Sequence, residues 1–130
     1  MANSKDDVYS RPMPSIEAFR FDQSVADVFQ DMIERSVPGY GLVLQLIGVL
    51  AEKYGQQDTR AYDLGCSLGA STLQLRRHLP DGCHVIGVDN SEAMVSRCKA
   101  NLSRDNSAAT YEILLEDLRE TNIQNASIVI

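Results

Sequence analysis

An acid followed by a glycine-bearing turn is the segment of the sequence whose residue types can do chemistry. Asp63 ends a short apolar run, Gly65 follows two residues later and Gly69 four beyond that, with Cys66 and Ser67 between them. Glycines at this spacing build a tight strand-to-helix turn whose backbone can approach a nucleotide ligand. Ser67 stands where a dinucleotide site needs a glycine to clear space for pyrophosphate. The turn therefore favours S-adenosylmethionine, a cation without phosphate that tolerates the carboxylate of Asp63. The alternative for the turn alone is that its glycines serve only a steric purpose.

A second carboxylate stands at the spacing expected for a ribose ligand. Asp89 lies 24 residues after Gly65, at the end of the next predicted strand, and Asn90 and Ser91 follow it. An acid roughly 20 residues beyond such a turn accepts hydrogen bonds from ribose hydroxyls. The alternative is that these three residues form only a loop and a helix N-cap. Because the turn and the acid occur together, the ribose-binding role of Asp89 is favoured.

Glu116 and Asp117 form a third acidic group, directly after the third predicted strand. At the carboxyl end of a parallel strand, an acid would face the adenine side of the same crevice and could accept from the exocyclic amine. A solvated strand end is the alternative for this pair, and both interpretations stay open.

Helices and strands alternate along the chain and position these acids. Ser24 is placed to cap a first helix with an apolar stripe, and a second helix, Leu42 to Leu50, is apolar on nearly every side and is expected to be well buried. Two more helices follow the glycine turn and Ser91. Strands are predicted over 60–64, 84–89, 111–115 and 127–130. This order predicts an α/β, Rossmann-like, doubly wound and mostly parallel sheet that binds ligands at the carboxyl ends of its strands.

The domain organisation follows from the same patterns. Residues 1–20 carry prolines and no periodicity, which predicts an N-terminal arm. Residues 21–130 are expected to be the N-terminal portion of a single domain of this fold. The last predicted strand is apolar and runs to Ile130, and because it would leave an unpaired edge, the domain is expected to be truncated after its fourth strand.

Composition narrows the functional classes. Of 130 residues, 18 are acidic and 12 basic, and the net charge of -6 disfavours direct binding to nucleic acid. No run is long enough to span a bilayer and the start is polar, so no membrane association and a cytoplasmic location are expected. The cysteines Cys66, Cys83 and Cys98 lack the spacing of a disulfide or metal framework, so no metal is expected.

Three segments carry a resemblance to a known family. Asp63 to Ala70 is DLGCSLGA, Ile86 to Ser91 is IGVDNS, and Asp31 to Tyr40 is DMIERSVPGY. From about Phe21 to Ile130 the sequence resembles the bacterial carboxy-S-adenosyl-L-methionine synthases of the class I methyltransferase-like superfamily. The glycine turn is common to the superfamily, whereas SVPGY and GCSLGA are much more specific.

The resemblance implies an unusual transferase. Such an enzyme carboxylates S-adenosyl-L-methionine with prephenate as the carboxyl source, releases phenylpyruvate, and forms carboxy-S-adenosyl-L-methionine. A partner enzyme then uses this product to modify a tRNA wobble uridine to the 5-oxyacetic acid, so tRNA need not touch the synthase. A sulfonium acidifies its methyl protons, and an ylide in a water-poor pocket could capture carbon dioxide before a proton quenches it.

The resemblance also implies site residues. Tyr40 should reach into the pocket, Gly65, Cys66 and Ser67 should contact the amino-acid end of the ligand, Asp89 and Asn90 its ribose, and Asp117 with Leu118 its adenine. Cys66 would act through its backbone. For Tyr40, simple packing after Pro-Gly is the alternative. No general base is identified among these residues.

In the family the domain continues beyond four strands. The continuation includes an asparagine, further strands and an arginine that should hold the added carboxylate. It should also form much of the interface of a homodimer. The chain as written is therefore expected to be inactive or weakly active by itself. Two other functions stay open: an ordinary methyltransferase for a small molecule, which the same turn would serve, and a non-catalytic nucleotide-binding module.

Overall fold

The computed structural model describes residues 22–130, and the arm predicted over residues 1–20 lies outside this range. Within residues 22–130, four α-helices and four β-strands follow one another in the order expected from the sequence. They are α1 (Gln23–Ser36), α2 (Tyr40–Tyr54), β1 (Arg60–Leu64), α3 (Ala70–His78), β2 (His84–Asp89), α4 (Glu92–Ser103), β3 (Thr110–Leu115) and β4 (Ala126–Val129), with a short 3-10 helix, Leu118–Glu120, before β4.

The strands form one parallel sheet in the order β3-β2-β1-β4. From β1 the chain moves outward through β2 to β3, and then returns to the opposite side of β1. This reversal is the switch point at which doubly wound α/β folds bind their ligands, beyond the carboxyl ends of the strands. The predicted α/β class and parallel sheet are confirmed.

The helices cover one face of the sheet. Ala61 of β1 and Val85 of β2 are fully buried beneath Ala51 of α2 and Leu75 of α3. Further along the same face, α4 packs on β3, and α1 packs on α4. Two successive right-handed crossovers that move in the same direction place their helices on the same face, which explains this layer.

In β1 and β2, the residues that alternate with Ala61 and Val85 point to the opposite face of the sheet. Tyr62, Ile86 and Val88 are buried there as one cluster. The segment that leads to β4 closes over Tyr62, whose hydroxyl accepts the backbone N–H of Gln124 at 3.2 Å. The phenol therefore ties the β3–β4 connection to the centre of the sheet.

The start of α1 differs from the expectation. Its N-cap is Asp22, whose carboxylate accepts the backbone N–H groups of Ser24 and Val25 at 3.0 and 3.2 Å. Ser24, expected to be the cap, is the second residue of the helix, and its hydroxyl donates to Asp22 at 2.6 Å. The prediction was wrong because the helix begins earlier than expected: Asp22 caps it by accepting the first free amides, so Ser24 already lies within the first helical turn. Ser91 does cap α4, by accepting from the backbone N–H of Met94 at 3.2 Å.

The expectation that α2 is well buried was also wrong. Its inner face, with Gly48 and Ala51, packs tightly against α3. On the outer face Leu42, Leu46 and Val49 are 61%, 50% and 58% exposed. Burial of an apolar helix depends on a second layer, and none of the elements within residues 22–130 lies over this outer face. No helix in this range is long and apolar enough to cross a membrane.

Candidate nucleoside-binding site

The glycine turn is held at the end of β1 by the neighbouring strand. The backbone N–H groups of Gly65 and Cys66 both donate to the carbonyl of Val88, at 2.7 and 2.9 Å. Gly65 and Gly69 have φ angles of +83° and +94°, in the left-handed region that glycine adopts without steric cost. The turn therefore needs glycine at these two positions to place its backbone at the carboxyl edge of the sheet.

Ser67 shows how this turn differs from a pyrophosphate-binding turn. Its φ of +51° is also left-handed, a conformation that costs a non-glycine residue energy. The backbone N–H of Ser67 donates to Oδ2 of Asp89 at 3.0 Å. The amide of Ser67 is thus already bound to a carboxylate and is not free to donate to a phosphate.

Asp89 joins the two loops that border the crevice. While Oδ2 accepts from Ser67, Oδ1 accepts the backbone N–H of Ser91 at 2.9 Å. A carboxylate has about four acceptor positions, so two hydrogen bonds leave acceptor capacity for ribose hydroxyls. The ligand and loop roles proposed for Asp89 are compatible, because different lone pairs serve them.

Two cavities meet at the turn, and Gly65 lines both. The larger, about 350 Å³, runs along the carboxyl ends of β2 and β3 and is lined by Asp89, Asn90, Asp117 and Leu118 among others. The smaller, about 130 Å³, is lined by Tyr40, Cys66 and Ser67 together with residues of α1 and α3. The structure therefore brings together eight of the nine residues expected at the site, with the ribose and adenine candidates on one side of Gly65 and the amino-acid candidates on the other.

Asp63, the ninth residue, lies beneath the turn and lines neither of these two cavities. Its side chain is buried, with Oδ2 accepting the hydroxyl hydrogen of Thr72 at 2.6 Å. Burial raises the pKa of this carboxyl from 3.8 to about 6, the hydrogen bond from Thr72 opposes the rise, and the charge of Asp89 adds to it. Asp63 can act on a ligand through its charge from this position.

Cys66 has the properties of an unreactive thiol. The side chain is buried, and its contact with the thiol of Cys98, followed by burial, raises the pKa of Cys66 above its ordinary value. Because the thiolate is the nucleophilic form, a raised pKa keeps the sulfur unreactive. This supports the expectation that Cys66 serves the site through its backbone.

Tyr40 is the first residue of α2 and is half-buried at the smaller cavity. Burial, and then the charges of Asp63 and Glu34, raise the pKa of its phenol above 10.0. The hydroxyl therefore stays protonated at neutral pH and can donate a hydrogen bond. The position of Tyr40 on the cavity wall is compatible with a ligand role, and its half-burial is compatible with simple packing.

An ion pair lies at the end of the larger cavity that is lined by the residues after β3. Both carboxylate oxygens of Asp117 accept from Nε of Arg119 at 3.0 Å, and Oδ1 also accepts the Arg119 backbone N–H at 2.9 Å. These hydrogen bonds hold the pKa of Asp117 at about 2. The side chain of its neighbour Glu116 accepts from the hydroxyl of Thr121 at 2.9 Å. The carboxylate of Asp117 is thus paired with a cation, whereas that of Glu116 accepts a hydrogen bond from a neutral hydroxyl.

Several contributors to the site were missed by sequence reasoning. Phe29, Gln30 and Ile33 of α1 line the smaller cavity, although the sequence shows only their helical periodicity. Thr72 and Arg119 were missed because their partners become adjacent through a turn and a 3-10 helix. Thr72 could have been found from its position in the first turn of the helix that follows the glycine turn. Residues 22–130 contain no group of three or more His, Cys, Asp or Glu side chains that could hold a metal ion.

The parallel sheet, the glycine turn and the acid at the end of β2 define a nucleoside-binding domain of the class that includes S-adenosylmethionine-dependent methyltransferases. The profile described as "Methyltransferase domain" matches residues 61–130. The chain belongs to this methyltransferase domain family.

Relatives of higher similarity agree in their names. The chain is 50% identical over its whole length to the carboxy-S-adenosyl-L-methionine synthase of Shewanella piezotolerans, covering 54% of that protein. It is 49% identical over 98% of its length to the synthase of the same name from Vibrio cholerae, covering 52%. The resemblance expected from the sequence is confirmed. The chain spans about half the length of the curated relatives it matches.

Solved structures show the same fold. A structure from Methanococcus maripaludis, assigned to the S-adenosyl-L-methionine-dependent methyltransferases, superposes with a TM-score of 0.68 over 88% of this chain and 52% of that one, at 16% identity. An RNA methyltransferase from Salinibacter ruber in complex with S-adenosyl-L-homocysteine superposes with a TM-score of 0.58 over 72% of this chain and 58% of that one, at 24% identity. At these identities the likeness concerns the fold.

Proposed function

We propose that the protein containing this chain is a carboxy-S-adenosyl-L-methionine synthase. The observation that carries the proposal is the identity of about one residue in two, along the whole chain, with proteins of that name. The geometry agrees with S-adenosyl-L-methionine as the substrate, because the larger cavity at the strand ends is lined by carboxylates that suit a cationic nucleoside, and the amide of Ser67 donates to Asp89 and is not free to bind pyrophosphate.

The proposed reaction takes the carboxyl group of prephenate to the methyl carbon of S-adenosyl-L-methionine. The methyl group loses a proton, its carbon forms a bond with the carbon dioxide that prephenate releases, and the ring of prephenate becomes aromatic as it loses hydroxide. The proton and the hydroxide leave as water, so the products are carboxy-S-adenosyl-L-methionine, phenylpyruvate and water. The positive sulfonium stabilises the adjacent carbanion, and exclusion of water protects it from protonation.

The chain's own residues supply the binding part of this chemistry. We assign ribose recognition to Asp89 and Asn90, and adenine recognition to Asp117 and Leu118, all four on the larger cavity. The amino-acid end and the sulfonium are assigned to the smaller cavity and the turn, with Gly65, Cys66, Ser67 and Tyr40 on its wall and Asp63 beneath it. No residue of this set is assigned the proton abstraction or the carboxylate clamp.

Mass spectrometry of the released nucleoside tests the reaction. The complete gene product is incubated with S-adenosyl-L-methionine and prephenate labelled with carbon-13 in the ring carboxyl group, denatured, and its nucleoside compared with that from this chain of 130 residues. We expect a labelled carboxyl group on the nucleoside from the complete protein and little or none from this chain. Unlabelled S-adenosyl-L-methionine or S-adenosyl-L-homocysteine as the sole nucleoside would refute the synthase and favour an ordinary methyltransferase.

The organisation of the protein is a further part of the proposal. We propose an N-terminal arm over residues 1–20, a nucleoside-binding portion over residues 21–130, a cytoplasmic location and a homodimer, with no direct contact to nucleic acid. The family resemblance supports the dimer, and the exposed apolar face of α2 is a surface that burial would stabilise. Sedimentation of the complete protein tests the dimer, and a monomer at micromolar concentration would contradict it.

A further inference from the structure

Thr72 and Asp63 form a buried hydrogen-bonded pair directly beneath the glycine turn. Thr72 is fully buried in the first turn of α3, and its hydroxyl donates to Oδ2 of Asp63 at 2.6 Å. A threonine hydroxyl is a neutral donor that can rotate to a carboxylate, so the pair forms a hydrogen bond without an opposite charge. In a low-dielectric interior such a hydrogen bond favours the ionised acid.

The groups around Asp63 otherwise oppose its ionisation. Burial is the largest of these effects, and the carboxylate of Asp89 on β2 adds a like charge. Tyr40 on α2 and the thiol of Cys66 on the turn lie close enough to Asp63 for its charge to raise the pKa of each. Both are neutral at physiological pH. Thr72 is therefore the group that favours ionisation among those that act on Asp63.

We propose that Thr72 is a positioning residue of the nucleoside site, which keeps Asp63 ionised and oriented so that its charge attracts the cationic end of S-adenosyl-L-methionine. The proposal rests on the function proposed above and deepens it. It explains why Asp63 is an acid at the carboxyl end of β1, although its side chain is buried and lines neither of the two cavities. It also assigns a role to a buried threonine in the helix that the turn begins.

The test measures the affinity for S-adenosyl-L-methionine by calorimetry between about pH 5.5 and 8.5, with the complete gene product. In the unmodified protein, affinity should fall as Asp63 is protonated, with a midpoint near the pKa of about 6. Thr72→Val keeps the shape and removes the hydroxyl, and should raise the midpoint by about one pH unit, since hydrogen bonds to ionised groups are the stronger ones. Affinity should then be about fivefold weaker at pH 6 and nearly unchanged at pH 8.5.

Matched variants separate positioning from a merely structural role. Thr72→Ser retains the hydroxyl and should restore the midpoint, while Thr72→Cys, a weaker donor, should shift it by less than Thr72→Val. Thr72→Cys also serves if Thr72→Val does not fold. Asp63→Asn should bind weakly with little pH dependence. A midpoint that is the same in all Thr72 variants, or a loss of affinity equal at every pH, would overturn the proposal.

Failure of this inference is distinguishable from failure of the proposed function. If the unmodified protein makes labelled carboxy-S-adenosyl-L-methionine but Thr72→Val leaves the midpoint unmoved, the synthase stands and the role of Thr72 is refuted. If the unmodified protein binds S-adenosyl-L-methionine and makes no carboxylated product, the midpoint still tests Thr72. If it binds no S-adenosyl-L-methionine at any pH, both proposals fall.

Discussion

Replacing Asp63 by asparagine should raise the stability relative to that of the unmodified protein as the pH rises, and should make the protein a poorer binder. The pKa of this carboxyl is raised from 3.8 to about 6 because the side chain is buried, so its charged form is less favourable in the folded state than in the unfolded one. The folded state therefore holds the proton more tightly, and the contribution of Asp63 to stability falls as the pH rises from about 4 to about 6. Above that window the unfavourable contribution is complete.

The magnitude follows from the shift. About two pKa units at roughly 1.4 kcal/mol each give about 3 kcal/mol of lost stability at pH 8. The substituted amide would remain an acceptor for Thr72 but would add amide hydrogens that need partners, at a cost of about 1–3 kcal/mol. That cost does not vary with pH. The pH dependence is therefore a cleaner quantity than the stability at one pH.

Urea unfolding of both proteins at several pH values measures this quantity. The other titrating groups contribute to both proteins, so the difference between the free energies of unfolding isolates Asp63. We expect the advantage of Asp63→Asn to grow by about 2 kcal/mol between about pH 4.5 and pH 8, while its affinity for S-adenosyl-L-methionine falls. A difference that stays flat over this range would show that Asp63 is not a buried acid of raised pKa, and would refute the reasoning.

Three further predictions concern the turn. Ser67→Gly should stabilise the protein by about 1 kcal/mol in urea unfolding because it relieves the left-handed φ of +51°, and a loss of stability would contradict this. Gly69→Ala should destabilise by more than Gly65→Ala, although both have left-handed φ, because a Cβ at Gly69 would lie 2.8 Å from Sγ of Cys98 and one at Gly65 meets nothing within 4 Å. Equal losses would refute the steric argument. Asp89→Asn should weaken S-adenosyl-L-methionine about 10–100-fold by calorimetry, since it removes the charge and an acceptor oxygen; unchanged affinity would exclude Asp89 from the ligand.

The strands of the sheet were the elements that local sequence predicted best. β1 and β2 have the predicted bounds, Arg60–Leu64 and His84–Asp89. Strands buried on both faces in a parallel sheet are short apolar runs between turn residues, so their limits are visible in the sequence. The helix layer was harder to predict. The apolar pattern of α2 indicates a helix, but whether a neighbour covers its outer face is decided by the layers around it.

The candidate site shows the same division. The sequence could predict that the turn, Asp89 and Asp117 lie near one another, because each follows a strand and parallel strands bring their carboxyl ends to one edge of the sheet. Ionisation and hydrogen-bond partners could not be predicted in this way. Asp63 and Asp89 are both acids at strand ends, yet one is buried against a threonine and the other accepts from two loop amides.

The sequence by itself determined the α/β class, the glycine turn and the family resemblance, since each depends on residue types at short, regular spacings. The tertiary structure decided that Asp63 lies beneath the turn with Thr72, that Ser67 adopts a left-handed conformation beside Asp89, and that α2 leaves an apolar face exposed. These properties depend on desolvation and on contacts between residues distant in sequence. Such contacts exist only after the chain has packed.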